Sequence, residues 1–182
     1  MTRKQRRLRC TAYHEAGHAV VIYRAAGHVG GHVTIVPHQK ENSIRLGAAF
    51  DEWSDSLNPK HMEATILRFY AGGHAQRELD PTCGAEGCES DDALALDLLR
   101  LHGWEHREQE LRERSLALTR KHWSEIVAVA DELLRLESLD DVEVEIICDA
   151  VAGDPDADLA RYRAVRGQEL LEWRKRAHIK TP

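Results

Sequence analysis

The sequence predicts a mainly α fold of the α+β kind, with a small β-sheet edge beside the helices. Three observations predict it. Apolar residues recur at helical spacing through 4–25, 60–79 and 105–136. Charged residues make up 31% of the chain and aromatics only 5%, with Leu, Ala and Glu abundant, as in helical soluble proteins. The stretch His32-Val-Thr-Ile-Val36 alternates with β-branched residues as a short strand does. At 182 residues the chain is long enough for one domain with its own core. Gly153-Asp154-Pro155 divides it into a domain of residues 1–153 and a C-terminal helical extension of residues 154–182.

Taken in order, residues 4–25 form the first helix, ended by Gly27, Gly30 and Gly31. The strand at 32–36 follows and is closed by Pro37. Residues 38–43 are polar and turn-like, and 44–50 read as a second strand. Asn58-Pro59 opens a helix over 60–79, in which Gly72-Gly73 allows a close helix crossing. Asp80 to Gly87 is a loop. Ser90 is an N-cap for a helix over 91–101. A single long helix spans 105–136, a short one runs from Ser138 or Asp140 through Val151, and a charged one covers 156–178.

Composition also excludes some functions. The net charge of −6 argues against nucleic acid as a partner. The basic run Arg3 to Arg9 reads as a solvated first turn. No apolar run approaches the roughly 20 residues that span a bilayer, and no apolar core follows the basic start as in a secretory signal. The expectation is a cytoplasmic protein. Its four cysteines, Cys10, Cys83, Cys88 and Cys148, form no C-x-x-C pair and are expected to be free thiols.

The chemistry is concentrated in the first helix. His14-Glu15-Ala16-Gly17-His18 is an H-E-x-x-H pattern. Residues four apart lie one turn above each other on a helix, so His14 and His18 can offer two imidazoles to one metal ion. Glu15, beside the first ligand, can act as general base toward an activated water. Ala19-Val20-Val21-Ile22 gives this helix a buried face, and Gly17 costs helix propensity that close packing can repay. Catalytic zinc sites take three protein ligands and leave one position open. The third ligand is therefore sought elsewhere: Glu78, Asp91 and Asp92 are the candidates. His102 and His106 are also four apart but enclose Gly103 and read as surface histidines.

At this point the chain resembles the peptidase domain of the FtsH family of ATP-dependent zinc proteases. The family run T-A-Y-H-E-A-G-H-A occurs as Thr11 to Ala19, and V-T-I-x-P as Val33 to Pro37. G-G-R-A-A-E-E-L is similar to Gly72-Gly-His-Ala-Gln-Arg-Glu-Leu79. G-A-S-N-D aligns without gaps with Gly87-Cys-Glu-Ser-Asp91, with Ala95, Leu98 and Arg100 in register. L-L-E-x-E-T-L-D is echoed by Leu133 to Asp140. The resemblance covers about residues 5 to 150. It implies Zn²⁺ held by His14, His18 and the aspartate of the fourth block. The gapless match makes that Asp91, whereas counting S-x-D alone selects Asp92. Glu78 then becomes a candidate for orienting a ligand imidazole.

The implied activity is a zinc endopeptidase acting on flexible or unfolded polypeptides. The substrate would be added as a strand along the 44–50 edge, with Gly47, Ala48 and Ala49 as the binding residues. The chain departs from the family in having no G-x-x-x-x-G-K-[ST] ATPase motif and no transmembrane helix, and in carrying His74 and Arg77 where the family has Arg and Glu. The enzyme would be ATP-independent by itself, with room for a homo-oligomer or a separate ATPase partner. The alternative reading is a metal-binding adaptor of the same fold with little or no activity.

Overall fold

Helix α1, Arg3–Ala26, is the central element, and every residue from Ala12 to Ile22 is buried. The computed structural model describes residues 1–36, 38–40, 43–45, 48–49, 58–84, 87–159, 162, 163 and 166. α1 starts with a reciprocal capping box: the Thr2 hydroxyl accepts from the Gln5 N–H, and the Gln5 side chain accepts from the Thr2 N–H. It stops at Gly27, whose φ of 87° lies in the left-handed region that favours glycine.

Two cores share this helix. On one side, Ala12, Tyr13, Ala16, Ala19 and Val20 pack against α5 (Trp123–Leu136) and α6 (Asp141–Ala152), chiefly through Ile126, Val129, Leu133, Val144 and Ile147. On the other, Val21 joins Met62, Ile66 and Tyr70 of α2 (Pro59–Leu79), Ala95 and Leu99 of α3 (Cys88–Leu101), and Leu111 of α4 (Glu108–Lys121). Each fully buried aliphatic side chain contributes about 1.5–3 kcal/mol relative to exposure.

α1 and α2 approach closely because glycine sits at the crossing. A Cβ on Gly17 would lie 2.7 Å from the Ala75 Cβ and 2.8 Å from the Ala71 carbonyl oxygen. No such contact occurs between ordinary side chains, so a larger residue at 17 would force the helices apart.

The long helix expected over 105–136 is instead two. A 3₁₀ turn at Glu105–Arg107 leads into α4, and the chain leaves helical geometry at His122 before α5 begins. Neither Gly nor Pro marks this break. Its reason is tertiary: Leu111 and Leu118 serve the α2–α3 core, whereas Trp123, Ile126 and Val129 serve the α1–α6 core. One straight helix would not present its apolar stripe to both. The His122 imidazole secures the junction against Glu125 at 2.8 Å.

The strands are also divided differently from the sequence expectation. β1 (Val33–Thr34) is the middle strand of a three-stranded antiparallel sheet, between β4 (Ala48–Ala49) and β5 (Ser138–Leu139). β2 (His38–Lys40) and β3 (Ser43–Arg45) pair as a separate antiparallel ladder, so the expected turn over 38–43 contains strand and the expected 44–50 strand is two pieces. Helix α3 begins at Cys88 with Gly87 as its cap, not at Ser90, whose hydroxyl donates to the Gly87 carbonyl.

Most of the expected final helix lies outside the described residues. Of it, Leu159 and Tyr162 pack against the α1–α5–α6 core, and the Tyr162 hydroxyl donates to Glu143. No helix among the described residues is long and apolar enough to cross a membrane.

The free-thiol expectation is corrected for two cysteines. Cys10 and Cys83, 73 residues apart in sequence, form a disulfide with Cα atoms 6.2 Å apart. Packing of α1 against α2 brings the segment after α2 onto the start of α1. Spacing in the sequence carries no trace of that proximity. Cys88 and Cys148 are free and buried.

Candidate metal centre

His14 and His18 project from one face of α1, their rings nearly perpendicular (89°) with centroids 4.6 Å apart. Their Nε2 atoms are 3.0 Å from each other. Asp91, in the first turn of α3, brings its Oδ2 to 2.9 Å from His14 Nε2 and 3.2 Å from His18 Nε2. Both imidazoles are buried, and the Asp91 side chain is 16% exposed, so the group has one side toward solvent. Donors bound tetrahedrally to zinc at about 2.0–2.2 Å are separated by roughly 3.3 Å. The three atoms thus already have the spacing of a tetrahedral face.

The opposite nitrogens decide the tautomers. His14 Nδ1–H donates to Gln76 Oε1 at 3.0 Å, and His18 Nδ1–H donates to the Arg68 carbonyl at 2.7 Å. The Gln76 amide is itself oriented, because its Nε2 donates to the Gly84 carbonyl at 2.5 Å. With each Nδ1 hydrogen engaged from behind, the two Nε2 atoms face each other and one carboxylate oxygen. Atoms converging within 3.2 Å need a shared positive charge among them, a proton on His14 Nε2 or a metal ion in its place. The donor set therefore could hold a metal ion.

The electrostatics agree. Burial alone would lower the His14 pKa. The hydrogen bond to Asp91, with help from Cys88 and the Glu15 charge, outweighs burial and raises it to about 10. For Asp91, burial works upward, but the two histidines hold the carboxyl well below the ordinary carboxylate range. The site is built to stabilise positive charge between these residues. Glu15 is 5% exposed; burial pushes its pKa up, opposed by the charges of His14, His18 and Arg68.

Gly72 is what allows the imidazoles to sit there. A Cβ at Gly72 would lie 2.6 Å from His18 Nε2 and 2.9 Å from His14 Cε1. Gly87, at φ 91°, caps α3, and a Cβ there would lie 3.4 Å from His14 Nε2.

Of the residues singled out from sequence, the structure brings together His14, His18 and Asp91 as one potential metal-holding group. Asp92 turns away and pairs with Arg112 at 3.0 Å. Glu78 pairs with Arg120 at 3.1 Å, so it neither binds the group nor orients an imidazole. Gln76 takes that orienting role, and sequence reasoning missed it. A signal existed: Arg68, Gly72 and Gln76 recur every four residues on one face of α2. Cys88 was passed over too. Its thiol lies 3.6 Å from Gln76 Oε1 and 4.0 Å from His14 Nδ1.

Of the expected substrate-binding residues, Gly47 lies outside the described residues. Ala48 and Ala49 form β4, an outer strand of the three-stranded sheet. No protein-family model and no curated protein matches this chain.

Proposed function

We propose that the chain is a zinc-dependent endopeptidase, similar in its catalytic domain to the FtsH family, hydrolysing peptide bonds in flexible or unfolded polypeptides. One observation carries the reading: two imidazole Nε2 atoms and one carboxylate oxygen converge, each imidazole locked from behind by a hydrogen bond at Nδ1. His14, His18 and Asp91 would hold the metal. A bound divalent ion supplies Lewis acidity toward water and the substrate carbonyl.

Glu15 is the general base. A carboxylate whose pKa is raised by burial is a stronger proton acceptor than an exposed one, and so better matched to water activation near neutral pH. Glu15 takes the proton of the attacking water and returns it to the leaving amine nitrogen. His14 and His18 keep their orientation through Gln76 and the Arg68 carbonyl, so neither ring turns during the reaction. The outer edge of β4 offers backbone groups to an extended peptide, which would align as an added strand.

Nucleic acid is not a partner in this reading, given the net charge of −6. A homo-oligomer or a separate unfolding ATPase would suit a proteolytic centre limited to flexible chains. A cytoplasmic location belongs to the same proposal, and it makes the Cys10–Cys83 disulfide one that must respond to a reducing environment.

The burial of Glu15 favours one rival: a metal-holding interaction module with little turnover. Metal analysis with a casein or peptide-library digest separates the two. Glu15→Gln is expected to retain stoichiometric zinc and lose hydrolysis, and a chelator is expected to abolish wild-type hydrolysis. Wild-type rates in Glu15→Gln would remove the mechanism. A zinc-loaded wild type without activity would leave the module.

A further inference from the structure

The metal centre has an outer layer that ends at a disulfide. Cys10, His14 and His18 follow one another at four-residue intervals on one face of α1. Cys10 is bonded to Cys83, in the short segment after α2. The next residue, Gly84, presents the carbonyl that fixes Gln76 Nε2 at 2.5 Å, and Gln76 Oε1 in turn accepts from His14 Nδ1–H. Three links thus connect the sulfur pair to a metal ligand: Cys83 to Gly84 along the chain, Gly84 to Gln76, and Gln76 to His14.

An amide side chain has two chemically different ends. Gly84 holds the nitrogen end, and the oxygen end then faces His14. If the segment shifts, the amide keeps only the weak Cys88 thiol contact at 3.6 Å besides His14 itself, and the acceptor that sets the His14 tautomer and ring angle is loosened. The segment is otherwise held at the surface. Arg6 donates to Asp80 at 2.7 and 3.0 Å and to Thr82, with Arg6 and Asp80 partly exposed. Such contacts hold weakly compared with a covalent bond.

The disulfide is also reachable. Cys83 is only partly buried. A cavity of about 160 Å³, lined by Met1, Arg6, Arg9, Cys10, Leu79 and Asp80, opens beside its partner. Arg6 and Arg9 line the same cavity as Cys10.

We infer that the Cys10–Cys83 pair is a redox control on the metal centre, acting through Gly84 and Gln76 on His14. The inference rests on the metal-centre reading above. A small thiolate attacks the Cys83 sulfur, the Cys10–Cys83 bond breaks, and Cys10 leaves as a thiolate that takes up a proton. A second small thiol resolves the mixed disulfide. Two external thiols become one disulfide, and Cys10 and Cys83 become two thiols. Reduction releases the segment and weakens metal binding; oxidation restores it.

The test uses the full chain, stripped of metal. One portion is reduced with a phosphine that is then removed without air. Thiols counted under denaturant should rise from two, Cys88 and Cys148, to four. Zinc affinity is measured by competition with a chromophoric chelator. Reduction is expected to lower affinity about tenfold, and Gln76→Leu about 10- to 100-fold, as for loss of an outer partner of a metal-bound histidine. A Cys10→Ser/Cys83→Ser chain should match the reduced form and ignore the reductant. In the Gln76→Leu background, reduction should cost nothing further, an outcome that mere support of the fold would not produce.

Tight and equal zinc binding in both redox forms overturns the inference and leaves the metal centre standing. Absence of zinc binding in both forms overturns the centre itself. An equal additional loss on reduction in Gln76→Leu overturns the route through Gln76, and four thiols before reduction overturns the disulfide.

Discussion

Gly72→Ala tests the metal centre at the point where its geometry is tightest. The added Cβ would sit 2.6 Å from His18 Nε2 and Cε1, against an ordinary contact of 3.4 Å or more. The imidazole must therefore move by about 0.8 Å, or α2 must retreat from α1 by a similar amount. Metal–ligand distances hold to about ±0.2 Å, so the displacement is roughly four times what the coordination tolerates. Removing an outer partner costs 10- to 100-fold in metal affinity. Moving a ligand itself should cost more than about 100-fold.

Folding should suffer far less. Alanine gains about 1 kcal/mol over glycine in a helix, against about 1–3 kcal/mol for overpacking. The net loss is at most about 2 kcal/mol. The assay is zinc competition with a chromophoric chelator, alongside a denaturant melt of the metal-free chain. The expected signature is a cooperative melt near the wild-type midpoint with zinc affinity collapsed. Gly72→Ala binding zinc within about threefold of wild type would refute the placement of both rings against α2.

Three further predictions follow from the same group. Asp91→Asn should abolish tight zinc binding, while Asp92→Asn loses only a half-exposed pair with Arg112, worth about 1 kcal/mol or less, and should bind zinc normally. Reversal of that order in the competition assay would transfer the ligand role to Asp92. The second concerns protons. Because the His14 pKa stands near 10 without metal, zinc uptake at pH 7 should expel close to one proton, seen as a buffer-dependent calorimetric heat that fades above pH 10. The sign for stability follows too. A raised His14 pKa stabilises the metal-free fold fully below its ordinary 6.5, and the gain is lost as pH rises toward 10. The depressed Asp91 pKa stabilises it above its ordinary 3.8, with loss as pH falls. Metal-free stability from this pair should be greatest between about pH 4 and 6.5, and a melt that peaks above pH 9 would contradict the His14–Asp91 coupling.

Much of the fold was legible where periodicity and end signals coincide. α1 and α2 were found within two residues of their ends because Gly27 and Asn58-Pro59 mark boundaries that the local chain itself enforces. The break at His122 was not legible. No residue there prefers a non-helical backbone, and the division serves two cores that the sequence does not display. The strand pieces β2, β3 and β4 were blurred for a related reason: two- and three-residue strands are defined by their partners, not by a pattern of their own.

The site divides along the same line. The pairing of His14 with His18 was determined by sequence alone, since their relation is set within one helical turn and needs no partner. Gapless register also pointed to Asp91. Tertiary structure decided the rest. It turned Asp92 toward Arg112 and Glu78 toward Arg120, put Gln76 and the Arg68 carbonyl behind the two imidazoles, made room for them at Gly72, and joined Cys10 to Cys83. These relations span tens of residues. Those behind the two imidazoles depend on how closely α1 crosses α2, a distance set by packing volume at Gly17, Gly72 and Ala75 that no local spacing encodes.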